Sequence, residues 1–185
     1  SVCAGDLHSV VLKSDGTVIG TFFSPVTTPF PFPLNTSPSY HNSPLAAWTN
    51  LVDVSAAGDN IVGLRSDGTV IGIGRNDYHQ LDVEGWKDII AISATGGYTI
   101  GLKRNGTVIA CGNIWDVEKW ENIMAVSVSA RHTVGLKSDG SVIAVGKNDE
   151  SQCNVGNWHD IIAVSAGVEH TVGLKSDGTV FATGS

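Results

Sequence analysis

The chain has 185 residues, 42% of them hydrophobic and only 16% charged, a balance that suits a compact, well-buried chain rather than a disordered one. Its net charge of −7 argues against nucleic-acid partners, which are held chiefly by lysine and arginine displacing counterions from phosphate. No apolar stretch approaches the roughly 20 residues of a membrane span, and Ser1-Val2-Cys3-Ala4-Gly5 lacks the basic start and apolar middle of a signal peptide.

In chain order, the first predicted element is a hairpin at Leu12-Lys-Ser-Asp-Gly-Thr-Val18. Asp-Gly or Asn-Gly between apolar runs is a strong hairpin signal, because tight turns need positive φ, which glycine accepts freely and Asn or Asp tolerate. The basic residue just before each such turn in the chain (Lys13, Arg65, Lys103, Lys137, Lys175) is expected in solvent. Residues 22–47 follow, an irregular insertion that holds all six prolines together with Phe30, Phe32 and Tyr40. Proline excludes an ordinary central strand there. The segment reads either as a drifted connection or as a recognition loop, with Phe30-Pro-Phe-Pro33 as an extended polyproline-like strip.

From Trp48 a two-part unit repeats. Its first part is Trp48-Thr-Asn-Leu-Val-Asp-Val-Ser55, and its second, 16 residues from Trp to Leu, is the hairpin Leu64-Arg-Ser-Asp-Gly-Thr-Val70. The same pair recurs from Trp86 with the hairpin Leu102–Val108, from Trp120 with Leu136–Val142, and from Trp158 with Leu174–Val180. The apolar residues after each Trp stand at successive positions, which predicts a strand buried on both faces. Only Trp115-Asp-Val-Glu-Lys-Trp120 looks even slightly helical.

Self-similarity at a period near 38 residues marks a repeat architecture. A small antiparallel sheet covered on both faces needs a neighbour on each side, which a propeller or a linear solenoid supplies. Small residues ahead of the hairpins (Ala4-Gly5, Ala56-Ala57, Ala94-Thr95, Val128-Ser129, Ala166-Gly167) favour the propeller, where inner strands crowd at the hub. The expectation is an all-β chain of about five blades with three or four strands each, in one domain over residues 1–185 interrupted at 22–47. The sequence opens and closes within a repeat, so an open arc from a larger propeller is expected, with a closed five-bladed ring as the alternative.

Site chemistry is sparse. The column His8, Asn60, Tyr98, His132, His170 puts one member on each blade, an arc rather than a converging ligand set; it reads as a polar residue closing the turn into the hairpin. Cys3, Cys111 and Cys153 are too few and scattered for a disulfide framework or a zinc site, and read as small buried residues. The Trp column reads as core. Asn35-Thr-Ser37 and Asn105-Gly-Thr107 match the glycosylation acceptor pattern, which is common by chance. No catalytic, cofactor or metal residues are expected; the residues placed at a partner surface are Phe30, Phe32, Tyr40 and Tyr78.

Val-Ser-Ala-Gly-x-x-His-Thr-Val-Gly-Leu-Lys-Ser-Asp-Gly-Thr-Val, over Val164 to Val180, resembles the repeat of the regulator of chromosome condensation family. Gly146-Lys-Asn-Asp-Glu-Ser-Gln-Cys153 is similar to that family's Gly-x-Asn-x-x-Gly-Gln-Leu segment, with Ser151 where Gly is usual, and Arg75-Asn-Asp-Tyr-His-Gln-Leu81 is a second copy. The resemblance implies a β-propeller, usually of seven blades. The short repeat looks most like bacterial members and, more distantly, the secreted β-lactamase inhibitor protein II. The nucleotide-exchange activity of the nuclear prototype does not carry over, since no residues here match its exchange loop.

The expected function is therefore a non-catalytic scaffold for protein–protein interaction. The alternatives are a secreted inhibitor of an extracellular enzyme and a carbohydrate-binding propeller. A protein partner is expected, with no nucleic acid, membrane or cofactor, and self-association is expected through open blade faces. Compartment is left open, with an extracellular or cell-surface setting favoured for a bacterial chain.

Overall fold

The computed structural model describes residues 1–4, 8–22, 45, 48–113 and 115–185. Phe30, Phe32 and Tyr40, and with them most of the 22–47 insertion, lie outside the described residues; Phe22 ends a strand and Leu45 is buried. Fifteen strands form five three-stranded sheets, each built from three consecutive strands. They are β1 (Val2–Ala4), β2 (His8–Leu12) and β3 (Val18–Phe22); β4 (Leu51–Ala57), β5 (Asn60–Arg65) and β6 (Val70–Gly74); β7 (Ile89–Ala94), β8 (Tyr98–Lys103) and β9 (Val108–Gly112); β10 (Ile123–Val128), β11 (His132–Lys137) and β12 (Val142–Gly146); β13 (Ile161–Ala166), β14 (His170–Lys175) and β15 (Val180–Gly184). Each Trp-led segment supplies a first strand and each hairpin the second and third. Trp115–Trp120 forms turns, not helix.

The chain divides into two compact units. One comprises Ser1–Asp88, Ala94–Thr99 and Cys111–Asn113; the other comprises Ile89–Ser93, Ile100–Ala110 and Ile114–Ser185. In the first unit, Val10, Leu12 and Val18 of the first sheet pack with Leu45, Trp48, Leu51, Val54 and Ile61. In the second, Val134, Leu136 and Val142 pack with Val155, Trp158 and Ile161, flanked by Val164, Ala166 and Phe181.

The hairpins are three-residue loops. In Ser138-Asp139-Gly140, Lys137 N–H donates to Ser141 O at 2.9 Å and Gly140 N–H to Lys137 O at 3.0 Å. Only the glycine takes positive φ, 80° at Gly140, as in a type I turn followed by a left-handed residue. The aspartate has a different task from the one read in the sequence. Its Oδ1 accepts the Ser141 N–H at 2.9 Å and the Ser141 hydroxyl at 2.6 Å. Asp15, Asp67 and Asp177 make the same two bonds to their threonines, as does Asn105 to Thr107. The hydroxyl bond, with the backbone N–H second, holds the four aspartates below the usual carboxylate range.

Two expectations need correction. Of the basic residues before the turns only Lys13 is fully exposed. Arg65, Lys103, Lys137 and Lys175 are half-buried, and Lys175 Nζ lies 5.3 Å from the centre of the Phe181 ring, because a lysine stem covers apolar surface while its head reaches solvent. The Trp-led strand, too, is not buried at every position. Its second residue (Val52, Ile90, Met124, Ile162) is exposed. The register shifts between Leu51 and Asp53, Ile123 and Ala125, and Ile161 and Ala163, so Val52, Met124 and Ile162 sit in β-bulges that turn them outward. Each exposed residue follows, by two positions, an Asn or Asp in the left-handed region: Asn50, Asp88, Asn122 and Asp160, with φ of 59°, 59°, 58° and 59°.

Those left-handed residues also tie consecutive repeats together. In the first unit the Leu51 N–H, next to Asn50, donates to Gly16 O of the preceding repeat at 3.0 Å; in the second, Ile123 N–H donates to Gly106 O at 2.9 Å and Ile161 N–H to Gly140 O at 3.0 Å, while Ser66 N–H to Asn50 O and Ser176 N–H to Asp160 O close the same segment within its own repeat. First strands meet as well, with Ala94 N–H donating to Ser55 Oγ and Ala166 N–H to Ser127 Oγ, each at 3.0 Å. These bonds satisfy donors that an edge strand would otherwise leave open.

Candidate interaction loops

Two connections between a third strand and the next Trp share one internal frame. In the first unit, Asn76 Oδ1 accepts Leu81 N–H at 2.7 Å and Asn76 Nδ2 donates to Asp82 Oδ1 at 2.8 Å. In the second, Asn148 Oδ1 accepts Cys153 N–H at 2.8 Å and its Nδ2 donates to Asn154 Oδ1 at 3.0 Å. Buried Gln80 accepts Tyr78 N–H at 2.8 Å, and buried Gln152 accepts Glu150 N–H at 2.9 Å. Carbonyl oxygens finish the frame. Gln80 O takes the Thr99 hydroxyl and Gln152 O the Thr171 hydroxyl, each at 2.7 Å. Between Asn and Gln one residue in each loop is left-handed, His79 at φ 62° and Ser151 at φ 68°, where the resembled segment has glycine.

The tips outside this frame differ. Tyr78, 52% exposed, stands where the second loop has exposed Glu150. His79 stands opposite Ser151, while Asp77 and Asp149 match. Arg75 pairs with Asp77, His79 Nδ1 lies 2.9 Å from Asp82, and Lys147 Nζ lies 3.9 Å from Asp149. Of the four aromatic residues singled out in the sequence, Tyr78 alone falls among the described residues, and it is in solvent. Trp115, missed because it was grouped with a helical pattern, is 40% exposed on the shorter connection of the second unit.

The His column is structural where it is described. Asn60, Tyr98 and His132 are buried at the start of a second strand, and His170, also at a strand start, is exposed. Asn60 Nδ2 donates to Gly96 O at 3.2 Å. His132 Nε2 lies 2.7 Å from Thr171 Oγ1 and its Nδ1 3.0 Å from Ser129 Oγ. Since Thr171 donates its hydroxyl proton to Gln152 O, its oxygen receives the His132 Nε2–H. Burial, with the charge of His170 second, holds the His132 pKa below its ordinary value of 6.5. An unfolded chain then binds a proton here at a pH where the fold does not, so stability declines as pH falls below about 6.5 until the folded value is passed. The urea midpoint of the wild type is expected to drop between pH 7.5 and pH 5.5, and the drop is expected to shrink in His132→Asn, which copies Asn60.

The three cysteines are free and half-buried. Cys111, whose Sγ lies 3.4 Å from Gln80 O, has its thiol pushed up to about 12, by burial first and the charge of Asp82 second. That makes it a poor nucleophile. Among the described residues no group of three or more His, Cys, Asp or Glu side chains converges on a metal position.

The chain resembles known proteins in sequence over part of its length and in fold over all of it. Residues 124–152 and 161–185 match the family model described as Regulator of chromosome condensation (RCC1) repeat. No curated protein matches the chain. Among solved structures the chain is similar over 100% of its length to Prp20p of Saccharomyces cerevisiae, whose structure was described with its binding to Gsp1p and histones (TM-score 0.71, 15% identity, 57% of that chain covered). It is likewise similar over its full length to human WBSCR16 (0.72, 14%, 61% covered) and to the ectodomain of the receptor kinase CR4 of Physcomitrella patens (0.72, 16%, 52% covered). The chain thus spans between half and two thirds of the length of these proteins. Five three-stranded sheets of one repeat pattern, two of them matched by the RCC1 repeat model, give the chain an RCC1-like β-propeller fold.

Proposed function

We propose that the chain is a non-catalytic scaffold that binds protein partners through the tips of its inter-repeat loops. One observation carries the reading: the loops at 75–85 and 147–157 keep the same Asn–Gln frame while their exposed residues differ. A rigid frame with exchangeable tips fixes contact residues at little entropic cost, which is how binding loops on repeat scaffolds gain affinity. Each loop also carries more acidic than basic residues, with Asp77, Asp82 and Glu84 against Arg75, and Asp149 and Glu150 against Lys147. The partner surface is accordingly basic with an apolar spot for Tyr78, and its association is weakened by salt. The binding of Gsp1p and histones by the yeast relative supports protein binding in general. Phe30, Phe32 and Tyr40 form the second partner-binding element of this proposal.

Exchanging the tips tests it. Tyr78→Glu with His79→Ser converts the first tip into the second on an unchanged frame. The melting curve is expected to stay within about 0.5 kcal/mol of wild type, as for ordinary surface changes, while affinity for a partner isolated with the wild type falls at least about tenfold, the size of one lost aromatic contact. A parallel Phe30→Ser, Phe32→Ser, Tyr40→Ser chain tests the second element. Partner affinity unchanged in both chains would refute the proposal.

A further inference from the structure

Four of the five hairpin turns carry Asp before their glycine, and the turn between β8 and β9 carries Asn; Asn105-Gly106 is the single Asn–Gly pair in the sequence. Asparagine is a thermolabile residue, and most so before glycine, whose backbone nitrogen no side chain screens from the neighbouring carboxamide. Asn105 is exposed. The other turns show what its acid product would do. Asn105 Oδ1 accepts the Thr107 N–H at 3.0 Å and the Thr107 hydroxyl at 2.7 Å. Asp139 Oδ1 takes the corresponding bonds from Ser141 at 2.9 Å and 2.6 Å. Both bonds fall on an oxygen that amide and acid share, so conversion to aspartate costs the turn neither.

The native turn restrains the reaction. Gly106 N–H donates to Lys103 O and Gly106 O accepts Ile123 N–H from the following repeat, both at 2.9 Å. A Cβ added at Gly106 would stand 3.4 Å from Asn122 Cα and from the Ile123 backbone, so the glycine lies against that repeat. Closing a ring onto the carboxamide turns the Asn105–Gly106 peptide away from the near-zero ψ of this turn position. That movement breaks the bond within the hairpin and the bond to the next sheet together.

We infer that Asn105 is a site of spontaneous deamidation, gated by the boundary between the third and fourth sheets. Once Gly106 is released, its nitrogen loses its proton to solvent and bonds to Asn105 Cγ. The bond from Cγ to the amide nitrogen breaks, and the nitrogen leaves as ammonia with a proton returned from solvent. Water then opens the cyclic imide. Cleavage between Cγ and the Gly106 nitrogen gives aspartate, which restores the turn of the other four repeats with one more negative charge. Cleavage between the main-chain carbonyl carbon and that nitrogen gives isoaspartate, which adds Cβ to the main chain and displaces Lys103 from its 2.9 Å bond with Thr107 O. The four Asp-Gly turns resist the same ring closure, because their hydroxyl bonds keep the carboxyls ionised and a carboxylate is a poor acceptor for a nucleophile.

The wild-type chain, held at mildly alkaline pH in buffer and in urea, tests this, with conversion of each asparagine followed by fragmentation mass spectrometry of tryptic peptides. In urea Asn105 is expected to convert ahead of every other asparagine. In buffer its rate is expected to fall at least about tenfold, since a gated reaction follows the population of the opened form. Asn105→Asp is expected to melt with wild type, and the deamidated pool to melt in two steps, the upper one with Asn105→Asp. Equal rates in buffer and urea overturn the gate. Conversion of Asn105 no faster than that of the other asparagines in urea overturns the site, and an Asn105→Asp chain that melts well below wild type overturns the assignment of aspartate as the accepted product.

Discussion

Trp120→Ala is expected to lower the unfolding free energy by about 3–5 kcal/mol, the usual cost of emptying a large buried aromatic site. The ring is buried against the middle strand of its own sheet at a position that only glycine can fill: a Cβ added at Gly135 would lie 2.7 Å from Trp120 Cζ3 and 2.8 Å from Cε3. Gly135→Ala alone is therefore expected to cost roughly 1–3 kcal/mol through overpacking. The two changes should not add. With the ring gone the new methyl has room, so the double variant is expected to be at least about 1 kcal/mol more stable than the sum of the single losses predicts. Urea unfolding of the four chains measures the cycle; strict additivity would show that ring and glycine do not share the site.

Gly146→Ala is the second large effect, roughly 2–4 kcal/mol, combining a strained backbone with a close contact. Gly146 ends β12 at φ 134°, a region that residues with a side chain rarely enter, and an added Cβ would stand 2.6 Å from both Arg131 O and His132 Cα. The backbone there cannot retreat freely, because Lys147 N–H donates to Arg131 O at 2.8 Å. Relief must come from moving His132, which is held by Ser129 and Thr171. Loss of stability in Gly146→Ala should thus be accompanied by a flattened dependence on pH between 7.5 and 5.5, the signature of a disturbed His132. A variant as stable as wild type would show that the strand end adapts more easily than its contacts suggest.

The hairpins and first strands were legible because their signals are local. Asp-Gly turns and runs such as Ile161-Ile162-Ala163-Val164 specify strands without reference to the rest of the chain. The bulges were not legible in the same way. Nothing in the apolar character of Val52 or Met124 says that it faces water; that follows from register, set by the left-handed Asn50 or Asn122 two positions earlier. The pairing of Trp with glycine was visible but unread. Gly63, Gly101, Gly135 and Gly173 each lie 15 residues after a Trp, and Val11 occupies that column in the first hairpin, which no Trp precedes at that spacing. Gln80 and Gln152 stood out by resemblance, yet only the coordinates show that they brace loops from within. Tyr78 could be placed at the surface from its loop; Trp115 was obscured by a six-residue pattern too short to define a helix.

The carbonyl handed from Gly16, Gly106 and Gly140 to the following repeat has a kinetic consequence. A repeat whose neighbour has come away loses hydrogen bonds of its own backbone as well as apolar cover, so opening at one boundary lowers the barrier at the next. Within each unit, amide exchange should therefore be collective: Leu51 and Ala94 should exchange together, as should Ile123 and Ile161. Such a chain behaves like a row of clasps, in which undoing one loosens its neighbour.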